Sequence, residues 1–104
     1  MQKAQPFQLC QSIDYQENGI VSKKILENKA GGITLFAFDK DQRLSEHTAP
    51  FDATIQVLDG MGEITIGGKC HQVATGEMVI MPANIPHAVY AQKRFKMMLI
   101  MLKA

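Results

Sequence analysis

Glycine-bearing turn dipeptides recur through the second half of this chain at intervals too short for helices. Asp59-Gly60, Gly67-Gly68 and Thr75-Gly76 are separated by runs of six residues, about half the length of an average globular helix. Each dipeptide supplies the positive φ that a tight hairpin turn needs. Residues 63–66 and 69–74 therefore read as successive strands, and 78–81 as the next. Pro82 and Pro86 then frame a short loop, because proline lacks the ladder donor and restricts the residue before it. Upstream, residues 33–38 (Ile-Thr-Leu-Phe-Ala-Phe) are rich in β-formers, and 53–58 alternates apolar with polar until its last residue. Residues 20–27, 85–91 and 94–102 complete the strand count. The last is ambiguous, since Met and Leu favour helix and only Ile100 is β-branched; its length and neighbours predict a strand. Residues 11–18 read as a loop or a single helical turn. Eight to ten short strands with regular turns predict an all-β sandwich or barrel, such as a jelly roll.

The chain has 104 residues, the length of one domain spanning 1–104, with no repeat or linker. A barrel of that size has a thin core, so a second subunit is expected to cover sheet edges and apolar faces. Eleven Lys and Arg against ten Asp and Glu give a net charge of +1. Without a clustered basic face, nucleic acid and anionic membrane are not expected as partners. No run approaches the ~18–20 apolar residues that span a bilayer. The first ten residues hold one lysine and no continuous apolar core, unlike a signal peptide. Cys10 and Cys70 lack CxxC spacing, and in a leaderless chain they are expected to be reduced. A cytoplasmic location follows as the expectation.

Three histidines could carry chemistry: His47, His71 and His87. His47 lies in Leu-Ser-Glu-His-Thr-Ala-Pro-Phe-Asp-Ala, and His87 ends Met-Pro-Ala-Asn-Ile-Pro-His. Forty residues separate the two, so only tertiary folding can make them partners. His71 shares strand parity with Val73 and reads as a structural histidine.

These two segments resemble the motifs of the cupins, G-x5-H-x-H-x3-4-E-x6-G and G-x5-P-x-G-x2-H-x3-N. In the first, spanning 41–60, His47 and Gly60 match in register; Asp41 replaces the opening glycine, Ala49 the second histidine and Ala53 the glutamate. In the second, spanning 76–91, Gly76, Pro82 and His87 match, while Asn84 replaces the inner glycine and Ala91 the final asparagine. The chain is similar to small single-domain RmlC-like cupins, including a recurring uncharacterised bacterial group. The resemblance implies a double-stranded β-helix, or jelly-roll barrel, and a homodimer whose residues around 20–38 cross to the partner.

In metal-bearing cupins the resemblance implies two histidines and a glutamate from the first motif and one histidine from the second. Here the methyl groups of Ala49 and Ala53 cannot donate, which leaves His47 and His87. Two neutral imidazoles hold Fe, Mn, Ni, Cu or Zn weakly unless a third group contributes. Asp52 and Glu46 are the nearby acids, but each neighbours an expected inward position, and only a bulge or loop would re-aim it.

Two functional readings follow. In the first, a barrel pocket lined by His47, His87, Ala49 and Ala53 captures a small-molecule ligand without an assigned reaction. In the second, the two histidines hold a divalent transition metal in an open site, for which the resemblance implies dioxygenase, isomerase or decarboxylase chemistry. A metal-free epimerase, with Tyr90 as acid opposite His87, is less favoured because the two lie so close in sequence. Met97, Met98 and Met101 read as core or dimer packing. No GxSxG, P-loop or GxGxxG pattern occurs.

Overall fold

The computed structural model describes residues 2–103. Nine strands and no helix occur among them: β1 (Ile20–Asn28), β2 (Gly31–Phe38), β3 (Arg43–His47), β4 (Ala53–Asp59), β5 (Met61–Ile66), β6 (Lys69–Ala74), β7 (Met78–Met81), β8 (His87–Tyr90) and β9 (Phe95–Leu102). They form a five-stranded sheet, β1-β2-β9-β4-β7, and a four-stranded sheet, β3-β8-β5-β6. Every strand pairing is antiparallel. The C-terminal segment is a strand, inserted between β2 and β4, where tertiary pairing on both sides overrides the helix preference of its Met and Leu residues.

Alternation decides what lies between the sheets. From the larger sheet, Ala53, Ile55 and Val57 of β4 and Phe95 and Met97 of β9 point inward; they meet Ile64 of β5, Val73 of β6 and Val89 of β8. Phe38 and Phe95 stack with centroids 4.7 Å apart, both fully buried. Met97 and Met101 join this core, while Met98 lies on the opposite face of β9. There Leu9, Ile13 and Tyr15 cross the outside of the larger sheet and cover Leu35, Ala37, Leu58 and Met98. This strap, residues 9–15, is built of turns and bends with no helix. It is tied down by the Tyr15 hydroxyl donating to Asp59 (2.6 Å) and, further along, the Asn18 amide donating to Asp39 (2.6 Å).

Strand β3 is the one that the sequence pattern does not announce. Arg-Leu-Ser-Glu-His has a single apolar residue and no alternation to read, because it is a sheet edge with only Leu44 half-buried.

Candidate functional site

His47 closes β3 and His87 opens β8, and the two are direct partners in the ladder. Regular alternation from Leu44, which faces Val89, would have brought Glu46 opposite His87. A bulge between Leu44 and His47 adds one residue to β3, so His47 takes that place instead. The loops behind the pair are stitched together by two hydrogen bonds. The Asn84 amide donates to the Ala49 carbonyl (2.7 Å) and the Ala83 amide to the Asp52 carboxylate (2.8 Å).

Backbone conformation explains two departures from the cupin motif. Asp41 and Asn84, which stand in place of glycines, have φ of 68° and 66°, beside 79° at Gly60 and 87° at Gly76. Asp and Asn are the residues with a Cβ that best tolerate this left-handed region. The motif's conformational demand is thus met without glycine.

The imidazoles meet edge to face, their centroids 4.3 Å and their Nε2 atoms 3.1 Å apart. His47 Nδ1 lies 2.7 Å from the Ser45 carbonyl and His87 Nδ1 lies 3.3 Å from the Ile85 carbonyl. A carbonyl oxygen cannot donate, so each Nδ1 carries the hydrogen. In the neutral pair both Nε2 atoms are then acceptors 3.1 Å apart, a contact that is repulsive unless a proton or a metal ion is shared between them. Burial first, then the neighbouring His47, holds the His87 pKa below the usual imidazole value and favours its neutral, ligating form. His87 is 6% exposed whereas His47 is open to solvent, so the pair is reached from the His47 side.

Two Nε2 atoms bound to one ion at about 2.0–2.1 Å stand about 2.9–3.4 Å apart for angles between octahedral and tetrahedral. The observed separation of 3.1 Å fits that requirement. No third protein donor joins them: among the described residues no cluster of three or more His, Cys, Asp or Glu could hold a metal. The Asp52 carboxylate is engaged by the Ala83 amide, and Glu46 is exposed. Ala53 is buried in the core and Ala49 half-buried. The residues therefore fit a metal that takes its remaining ligands from water or a small molecule.

The other candidates lie elsewhere. His71 shares the inward parity of Val73, as its position predicts, but sits opposite Ile64 in the next row and makes no side-chain hydrogen bond among the described residues. Tyr90 points outward, donates to Asp41 (2.9 Å) and carries Arg43 over its ring, so it is not an acid facing His87. Cys10 and Cys70 are free and exposed, and a hydrogen bond to Glu63 pushes the Cys70 thiol pKa up, away from nucleophilic use. Two hollows of about 550 and 610 Å³ lie on the outer side of the four-stranded sheet, and neither is lined by His47 or His87. The sequence gives no sign of them, because the sheet face and the 92–94 loop that bound them meet only in the fold.

Comparison with known proteins agrees with this architecture. Residues 34–102 match the cupin domain family. The chain is a cupin. Its fold superposes on a conserved protein of unknown function from Streptococcus pyogenes with a TM-score of 0.94 and 36% identity, covering 100% of this chain and 91% of that one. A cupin 2 conserved barrel domain protein from Leptotrichia buccalis is 43% identical (TM-score 0.90), covering 93% of this cupin but only 47% of that chain. A cupin superfamily protein from Desulfitobacterium hafniense gives 0.93 and 26%, covering 100% and 95%. No curated protein matches the chain. Among the described residues no helix is long and apolar enough to cross a membrane.

Proposed function

We propose that this cupin captures a small molecule at the His47–His87 pair, with a cation between the two Nε2 atoms drawing in an oxygen-bearing, anionic group of the ligand. The supporting observation is the pair of Nε2 atoms 3.1 Å apart, each ring with its Nδ1 turned to a backbone carbonyl. With two donors from the protein, at least half of a four-coordinate shell is left for the ligand and water. The same geometry favours a second reading, a metal-dependent enzyme. There His47 and His87 would hold Fe, Mn, Ni, Cu or Zn, and the metal would supply Lewis-acid or oxygen-activating chemistry to a bound substrate. The chain itself would anchor the ion and keep both imidazoles in the ligating tautomer through Ser45 and Ile85.

Elemental analysis of the tag-free protein beside the His47→Ala, His87→Ala double variant tests both. A transition metal near one per chain in the wild type alone supports the site, and turnover that depends on it selects the enzyme. If the protein takes up no metal after reconstitution with each of the five ions, the metal reading falls and a proton-bridged ligand site is left.

We further propose that the chain acts as one domain, as a homodimer, in a reducing cytoplasm. The strap covers only part of the larger sheet's outer face. Beyond it, Ile33, Ile100, Thr54 and Ile80 form one row across four strands. Ile80 is 63% and nearby Leu102 60% exposed, and an apolar patch of this kind is suited to a second copy. β2 supplies Ile33 to it and β1 borders it, in keeping with an exchange around 20–38. Light scattering showing only monomer at micromolar concentration would remove the dimer.

A further inference from the structure

We propose that the hollow of about 550 Å³ at the start of β5 is a second ligand site, for an organic anion with an apolar, ring-sized body. It lies on the outer face of the four-stranded sheet, at the Met61 end of β5. His87 pairs with Ile66 at the other end, roughly 16 Å along the strand and on the inner face. The site is thus separate from the histidine pair.

Close approach of β9 to β5 builds the hollow. A Cβ on Gly60 would stand 2.6 Å from the Arg94 carbonyl oxygen, and one on Gly62 would stand 2.5 Å from the Phe95 ring. Only glycine lets the 92–95 segment come so near, and this segment becomes one wall. Met61, Gln72, Ala74 and Thr75 line the hollow from β5, β6 and the turn after β6, with Gln92 and Lys93 facing them. Met61 is 46% exposed and shares the outer face of β5 with Glu63, while Gly62 between them lies on the inner face. The volume falls within the range of small-molecule sites.

Charge selects the ligand. Of the three charged groups that line the hollow, Arg94 is bound through Nε to Asp39 (2.7 Å), while Glu63 brings a carboxylate to the β5 wall, where it accepts the Cys70 thiol hydrogen (3.1 Å). Lys93 has neither an ion pair nor a hydrogen bond among the described residues. The Lys93 ammonium stands on the loop wall beside Gln92, across the apolar hollow from Glu63 and Gln72, so this side matches a single carboxylate or sulfonate on an aromatic or alicyclic body whose anionic end is turned from Glu63.

The test is a titration of the ¹⁵N-labelled whole protein with 2-naphthoate, and with 2-naphthalenemethanol as the neutral analogue. Saturable shifts are expected at the amides of Met61, Gly62, Gln92 and Lys93, with the neutral compound and the Lys93→Ala protein binding at least fivefold more weakly. Ala74→Phe, which fills the hollow, should abolish binding; Lys93→Ala, in an exposed loop, keeps the test decisive should that variant misfold. Shifts centred on Ile80 and Leu102 would mean adsorption to the bare sheet face, and shifts at His47 and His87 would mean one site only. Either result overturns the proposal, as does equal binding by Lys93→Ala or no saturation at millimolar ligand. Metal content is read independently, so failure here leaves the histidine site standing and the reverse also holds.

Discussion

His47 faces His87 because β3 carries one residue more than β8 between the Leu44–Val89 pair and the histidine pair. A regular ladder would have placed Glu46 there, making a carboxylate–imidazole pair with different chemistry. The bulge therefore selects two lone-pair donors, and the Nε2 atoms end 3.1 Å apart. Removing one imidazole should separate metal affinity from fold. His47→Ala lies on an exposed edge and is expected to abolish the proposed metal uptake while changing stability by less than ~1 kcal/mol. Urea denaturation beside elemental analysis reads both, and a variant that keeps stoichiometric metal would exclude His47 as a ligand.

Asp39 joins three separate parts of the chain. Its carboxylate takes the Arg94 Nε–H at 2.7 Å and the Asn18 amide at 2.6 Å. The Arg94 hydrogen bond, then the backbone amides of Asn18 and Lys40, lower its pKa from 3.8 to about 2. A carboxyl whose folded pKa is depressed stabilises the fold above its unfolded value and loses that contribution as pH falls through the folded one. Stability should accordingly decline between pH 4 and pH 2, and Asp39→Asn should flatten this part of the profile and lower stability at neutral pH. Identical profiles for the two proteins, measured by thermal melting across that range, would contradict the assignment.

Gly62 is predicted to resist even the smallest side chain. A Cβ there would stand 2.5 Å from Phe95 Cε2, and that ring is fully buried against Phe38. The ring has no free space to yield, so Gly62→Ala should cost about 1–3 kcal/mol by overpacking. A denaturation midpoint unchanged from wild type would show that β9 moves more easily than its packing implies.

At Asn84 the requirement is conformational rather than steric. With φ at 66°, Asn84→Ala should cost about 1–2 kcal/mol, whereas Asn84→Gly should be nearly neutral. Equal losses in the two variants would point to the asparagine side chain instead. The Asn84 backbone N–H holds Ala49 in this conformation, so a shift of backbone in the alanine variant should also weaken the metal uptake proposed for the neighbouring pair.

The strap across the larger sheet offers a contrast within one segment. Ile13, on the strap's underside, is 4% exposed, and Ile13→Ala should cost about 2–5 kcal/mol. Removing residues 2–6, all exposed, should change little. If both changes destabilise equally, the anchor lies outside the Ile13 cluster.

The strands were legible wherever their cause is local. Asp59-Gly60, Gly67-Gly68 and Thr75-Gly76 demand tight turns through their own backbone preferences, and alternation in 53–58 marks a half-buried strand with no knowledge of its partner. The deficit of ligands was legible too, since Ala49 and Ala53 lack donor atoms in any fold. Edge strand β3 was not, for its residues gain their structure only by pairing with β8. Nor could parity distinguish Glu46 from His47, because a bulge is a property of two strands in register. The engagement of Asp52 by a loop amide, the outward turn of Tyr90 and the hollow beside Met61 likewise depend on segments distant in sequence. Local sterics and atom types thus determined the all-β fold and the two-imidazole donor set, while long-range pairing, whose partners no single segment specifies, decided where those donors point and what surrounds them.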